Sequence, residues 1–131
     1  MALTQYSHTI PATEVQAIIM APTTPAPKFA YQDGERTEGI DQHADGWDIH
    51  QLRDIPVKIG NTSAIATIQL ADVDEIDAGS IIRPNDDAEV RVRGRSATNS
   101  TFVELTVTVV AESWEVVGDV AEALTAASTT Y

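Results

Sequence analysis

Two stretches constrain the fold more than any others: "AEVRVRGR" (88–95) and "FVELTVTVV" (102–110). Both alternate. In extended backbone, successive side chains face opposite ways, so a period of two marks a strand with one buried side. Val90 and Val92 share one side of the first stretch. Val103, Leu105, Val107 and Val109 share one side of the second. "SATNST" between them reads as a hairpin loop.

Much of the rest also breaks into short strands. "KFAYQ" (28–32) ends at Asp33–Gly34, and a polar loop runs from there to Gly46. "WDIHQLR" (47–53) sets Trp47, Ile49 and Gln51 against Asp48, His50 and Leu52. "IPVKI" (55–59) and "AIATIQL" (64–70) flank the turn "GNTS". Pro56 is expected at an edge, because proline cannot donate to a ladder. An open edge at "IPVKI" leaves room for a homo-oligomer. "ADVDEIDAGS" (71–80) suits a short helix stopped by Gly79.

The ends differ in composition. Residues 1–27 read as a flexible leader: "PATEVQAIIM" as a short helix capped by Thr13, then a Pro/Thr-rich linker, "APTTPAP". Residues 119–131 read as a short helix or a flexible tail. The expected domain is 28–118, all-β, a small five- to six-stranded OB-like barrel with its short helix between the third and fourth strands. Closure of that kind removes open edges. A length of 131 residues fits one domain, and with aromatics at 5% the aliphatic side chains must fill its core.

Charge narrows the function. The formal balance is −12, which repels phosphate at long range and favours partners with basic surfaces. Yet three of the eight basic residues, Arg91, Arg93 and Arg95, recur at every second position and so share a strand face with Glu89. Steps of about 6–7 Å along a strand suit the phosphates of an extended single strand. Arg53 and Lys58 stand in support. Phe102, Tyr31 and Trp47 are candidates to stack on bases, with Phe102 on the face opposite Val103 and Leu105. Read by itself, the stripe is a solvated charged face answered by Glu104 across the hairpin. Trp47, sharing a face with Ile49, reads by itself as core rather than as a stacking ring.

Other chemistries find little support. Cysteine is absent, which excludes thiol catalysis and disulfides and suits a cytoplasmic setting. No stretch approaches the length of a membrane helix, and no secretory signal opens the chain. "DQHADG" (41–46) resembles the start of a calcium loop, but His43 and Leu52 occupy positions that need oxygen ligands. His43 and His50 with Asp41, Asp45 and Asp48 leave a transition-metal site open, against the simpler reading of a polar loop entering a strand. No nucleophile elbow, P-loop or dinucleotide fingerprint occurs, so neither an enzyme nor a cofactor is expected.

"FAYQDGERTEG", "WDIHQL", "GSIIRPNDDAEVRVRGR" and "FVELTVTVVAESWE" together resemble the OB-fold single-stranded-DNA-binding-like proteins of plasmids and conjugative elements. The residues that carry the likeness are Asp33, Gly34, Arg36, Trp47, Pro84 and Arg91, within 28–112. The resemblance implies a replication or DNA-transfer accessory that binds single strands on its barrel face and loops. The chain departs from that pattern in the acidity of the domain and in its last residues, "TAASTTY". The competing expectation is a structural or adaptor protein of a phage or mobile element, meeting a basic protein partner through its acidic surface.

Overall fold

The computed structural model describes the backbone of residues 3–96 and 103–128. In chain order the elements are β1 (Leu3–Ile10), a 3-10 turn (Ala12–Glu14), β2 (Val15–Ile18), β3 (Ala26–Pro27), β4 (Phe29–Gln32), β5 (Glu35–Ile40) and β6 (His50–Ile59). Then follow β7 (Thr62–Leu70), β8 (Ser80–Pro84), β9 (Ala88–Ser96), β10 (Val103–Val110), β11 (Trp114–Asp119) and a helix, α1 (Val120–Ser128). The main sheet runs β1-β9-β10-β7-β6-β2-β8-β11, with β3 added against β6. β4 and β5 form a separate hairpin. All neighbours in the main sheet are antiparallel except β10 and β7.

The main sheet curls into a half-barrel, which turns one of its faces inward. That inner face holds the core. Val15 and Ala17 of β2, Leu52, Ile55 and Val57 of β6, Ala66, Ile68 and Leu70 of β7, Ile82 of β8, Val90 of β9 and Val109 of β10 make one buried cluster. Strand alternation explains the membership in β2, β7, β8 and β10. β6 departs from it, because a bulge between Leu52 and Ile55 places Asp54 at φ 57° and lets residues three apart share the core side. The outer face therefore carries Gln16, Ile18, Gln51, Pro56, Lys58, Ile65, Arg83 and Arg91.

The hairpins follow their turn chemistry. Ile59 pairs with Thr62 across Gly60–Asn61, and Gly60 takes φ 58°. Gln32 pairs with Glu35 across Asp33–Gly34, whose φ angles are 54° and 82°. Two consecutive left-handed residues match the right-handed twist of the flanking strands.

An all-β fold is what the sequence led us to expect, and several finer expectations need correction. Eleven strands are present among the described residues, not five or six. The first 27 residues do not stand apart as a leader: β1 pairs with β9 along its whole length, and β2 sits between β6 and β8 with Val15 and Ala17 at 0% exposure. The helix expected over "PATEVQAIIM" is only a 3-10 turn. Val15, Ala17 and Ile19 alternate and are all buried, Val15 and Ala17 within β2 and Ile19 just past its end. The helix expected over 71–80 is absent, since Ile76 and Thr23 exchange backbone hydrogen bonds of 2.8 and 3.0 Å that hold both segments extended. The helix lies at 120–128 instead. "IPVKI" is not an edge, because β7 flanks it on one side and β2 on the other, and Pro56 faces Ile65 inside the sheet. Leu52 is a core residue at 2% exposure, on the side opposite Gln51.

Candidate functional site

The outer face of the sheet gathers positive charge that the composition conceals. Of the eight basic residues, Arg53, Lys58, Arg83, Arg91 and Arg93 stand on strands of the main sheet at outer-face positions, the backbone of Arg95 continues β9, and Lys28 and Arg36 lie elsewhere. Many acids sit in connections: Asp41, Asp45 and Asp48 before β6, Asp72, Asp74, Glu75 and Asp77 after β7, Asp86 and Asp87 before β9, and Glu112 after β10. Connections run over the surface and tolerate charge, whereas an outer strand face selects residues by parity.

Register orders this face. Ser7, Arg91 and Thr108 lie abreast on β1, β9 and β10, and Thr108 faces Thr67 of β7. Thr67 in turn lies opposite the Arg53–Asp54 bulge of β6. At about 4.8 Å per strand, Arg91 and Arg53 are three steps, or about 14 Å, apart. In the next row Gln5, Arg93 and Thr106 lie abreast. Arg95 takes the following position, opposite Glu104. β10 pairs with β7 only over Val107–Val110, so β1, β9 and the first part of β10 part from β7 as a three-stranded wing.

The arginines are not equivalent. Arg91 donates to both oxygens of Glu89, at 2.8 and 3.2 Å, and Ser7 donates to the same carboxylate at 2.7 Å. This bidentate pairing neutralises Arg91 and fixes its plane. Arg93 is exposed and donates only to the amide oxygen of Gln5, at 3.2 Å, with no carboxylate in ion-pair range among the described residues. Arg53 is exposed and reaches the Gln51 amide oxygen at 3.5 Å, the limit of a hydrogen bond. Lys58 is exposed and without an ion pair among the described residues. Arg83 faces Glu115 in register, yet its Nε is buried without a partner.

The Glu89 carboxyl is held below its ordinary 4.5, first by the Arg91 hydrogen bond and next by Ser7, against the opposing effect of burial. A lowered folded-state value means that ionised Glu89 stabilises the fold above about pH 4.5, and that this contribution is lost as pH falls through the lowered value. Glu89→Gln is therefore expected to show a shallower loss of unfolding midpoint on acidification than the parent. Thermal melts across the acidic range check this, and superimposable profiles overturn it. Asp41 is lowered in the same direction by its hydrogen bond from Lys28.

Two features flank the basic rows. Between the 41–49 loop and the start of β9 is a cleft of about 170 Å³, lined by Thr9, His43, Trp47, Asp87, Glu89 and Glu112, among others. The Trp47 and His43 rings stack there, with centroids 4.6 Å apart and planes 8° from parallel. Trp47 thus shares a cleft with Glu89, the partner of Arg91. On the other side, Ile18, Pro56, Val57, Ala64 and Ile65 line a groove of about 400 Å³, with Gln16, Lys58 and Ser63 in its wall. Ile65 is 60% exposed.

Other expected site residues fall elsewhere. Tyr31, 69% exposed, lies on the β4–β5 hairpin, where the Arg36 guanidinium covers Phe29 at 4.1 Å. Phe102 lies outside the described residues. Among the described residues no three histidines or carboxylates meet in a metal-binding arrangement. Asp41 instead bonds Lys28, Asp48 accepts from Gln42, and His43 Nδ1 accepts from the Asp45 N–H. Among those residues, too, no helix is long and apolar enough to cross a membrane. Sequence reasoning missed Arg83 and the apolar groove. The alternation of Val15, Ala17 and Ile19 was the signal for the groove, since it turns Gln16 and Ile18 outward.

No protein-family model matches the chain, and neither does any curated protein or solved structure.

Proposed function

We propose that the outer sheet face binds single-stranded nucleic acid. The observation that carries this reading is the segregation of charge: of the eight basic residues, Arg53, Lys58, Arg83, Arg91 and Arg93 share one sheet face in a chain of formal charge −12. Arg53, Lys58 and Arg93 have no carboxylate partner among the described residues and serve as the phosphate contacts. Arg91 is held by Glu89 and contributes little, a revision of its expected role. The groove beside Lys58 offers Ile18, Pro56 and Ile65 as apolar contacts for an unstacked base, and Trp47 borders the opposite end of the basic rows. The unfavourable overall field is screened beyond about 8–10 Å, so contacts on this face act at short range.

Titration of a labelled oligothymidine at several salt concentrations tests it. Three contacts predict a log–log slope near −2, from about −0.7 per phosphate contact to a single strand. Arg53→Ala, Lys58→Ala and Arg93→Ala combined are expected to flatten most of that slope. A flat parental slope, or unchanged binding by the triple variant, overturns the reading. The second reading, an adaptor for a basic protein, draws on the acidic loops and the carboxylate-lined cleft beside Trp47. Binding of a lysine-rich peptide, weakened by Asp87→Asn with Glu112→Gln, would favour it.

A further inference from the structure

We propose that β1 is an assembly edge: two copies of this chain join through it, strand against antiparallel strand. Among the described residues, the path of the main sheet ends at β1 on one side and β11 on the other. An open edge presents a row of unpaired backbone groups to any passing strand, and proteins blunt it with charge, proline, bulges or a covering element. The β11 edge is blunted. Its register breaks between Val116 and Gly118, Glu115 and Asp119 lie on it, and α1 follows directly and contacts it. Among the described residues β1 has none of these guards. Its pairing with β9 runs without interruption from Leu3 to Ile10. Its sequence, LTQYSHTI, contains no proline and no formal charge, in a chain where 21% of residues are charged.

The missing charge also points to the partner. Two copies at −12 repel each other across most orientations, and β1 is a strip along which they meet without opposing charges. The side chains agree. Tyr6 is 61% exposed and Leu105 of β10 is 68% exposed. Tyr6 lies abreast of Val92 and Val107, and Leu105 abreast of Gly94, so both sit on the side of the wing opposite the arginines. A twofold axis perpendicular to the wing and centred on Tyr6 or Ser7 keeps like faces together. It produces one six-stranded sheet, β10-β9-β1 continued by the same strands of the second copy; centred on Tyr6 it sets the two Tyr6 rings side by side, and centred on Ser7 it sets them diagonally across the seam. Edge pairing supplies main-chain hydrogen bonds, and the apolar face supplies area.

Sedimentation of the full chain from low micromolar to near-millimolar concentration tests this. A concentration-dependent dimer is expected that tightens as salt is raised, because salt screens the repulsion and no ion pair crosses the edge. Tyr6→Lys, which sets like charges against each other, is expected to stay folded by circular dichroism and to remain monomeric over the same range. The chain has no cysteine, so single-cysteine variants report proximity cleanly. Tyr6→Cys or Ser7→Cys, whichever lies at the axis, is expected to oxidise to a disulfide-linked dimer, whereas Ser63→Cys at the β6–β7 turn is not. A parent that stays monomeric throughout overturns the proposal. So does a dimer that survives Tyr6→Lys while neither edge cysteine cross-links.

Discussion

Ala17→Asp is expected to unfold the protein or remove most of its stability. Ala17 is at 0% exposure, paired with Val57 of β6 on one side and Ile82 of β8 on the other. A carboxylate there has no partner and no water. Leaving a buried charge uncompensated costs on the order of 3–5 kcal/mol, a large share of the about 5–15 kcal/mol that keeps a domain folded. The variant escapes part of this cost by protonating, so its deficit should shrink as pH falls, opposite in sign to the acid dependence expected from Glu89. Urea denaturation at neutral and acidic pH measures both effects. The result also bears on the architecture. If the N-terminal segment were a leader outside the fold, the substitution would be silent, and an unchanged midpoint would remove β2 from the centre of the sheet.

The second large effect contrasts Ile68→Ala with Ile65→Ala. Ile68 lies abreast of Val109 on β10 and Leu52 on β6, the junction where the one parallel pairing meets the antiparallel sheet. It is at 0% exposure. Truncating a buried isoleucine loses its transfer free energy and leaves a cavity, together about 2–5 kcal/mol. Ile65 is three residues away on the same strand, faces outward and is 60% exposed. Its truncation should change stability by less than about 0.5 kcal/mol. It should nonetheless weaken oligonucleotide binding, if the groove beside Lys58 receives a base. Equal destabilisation by the two substitutions would mean that the inner and outer faces of β7 have been exchanged.

The parity of single strands was legible in the sequence; their neighbours were less so. β9 and β10 stand where their alternation placed them, paired antiparallel with Arg91 and Arg93 on the side opposite Val90 and Val92. The β6–β7 hairpin and the end of "KFAYQ" at Asp33–Gly34 were also readable, because left-handed turn residues act locally. The failures share one cause. "PATEVQAIIM" holds apolar residues that suit a short helix or a strand about equally, and only the slot between β6 and β8 chooses the strand. "ADVDEIDAG" has helix-like acids and a glycine stop, but a backbone bridge to Thr23, more than 50 residues away in sequence, holds it extended. Leu52 was assigned to the polar side because Ile49, buried outside the core cluster, made its own side of the strand look like the core; only the tertiary fold shows that Leu52 faces the core.

Sequence alone determined the class of structure and the faces of its best strands, since side-chain alternation and turn preference depend on residues within a few positions of each other. Tertiary structure decided which strands became edges, how far the sheet extended, and which arginines remained unpaired. Each of those outcomes depends on which distant segments come to lie side by side. Glu89 and Arg91 are two residues apart, yet Ser7, which completes their cluster, arrives from the opposite end of the chain. Arg53 and Lys58 join the basic face only because the half-barrel sets β6 and β9 on the same curled sheet.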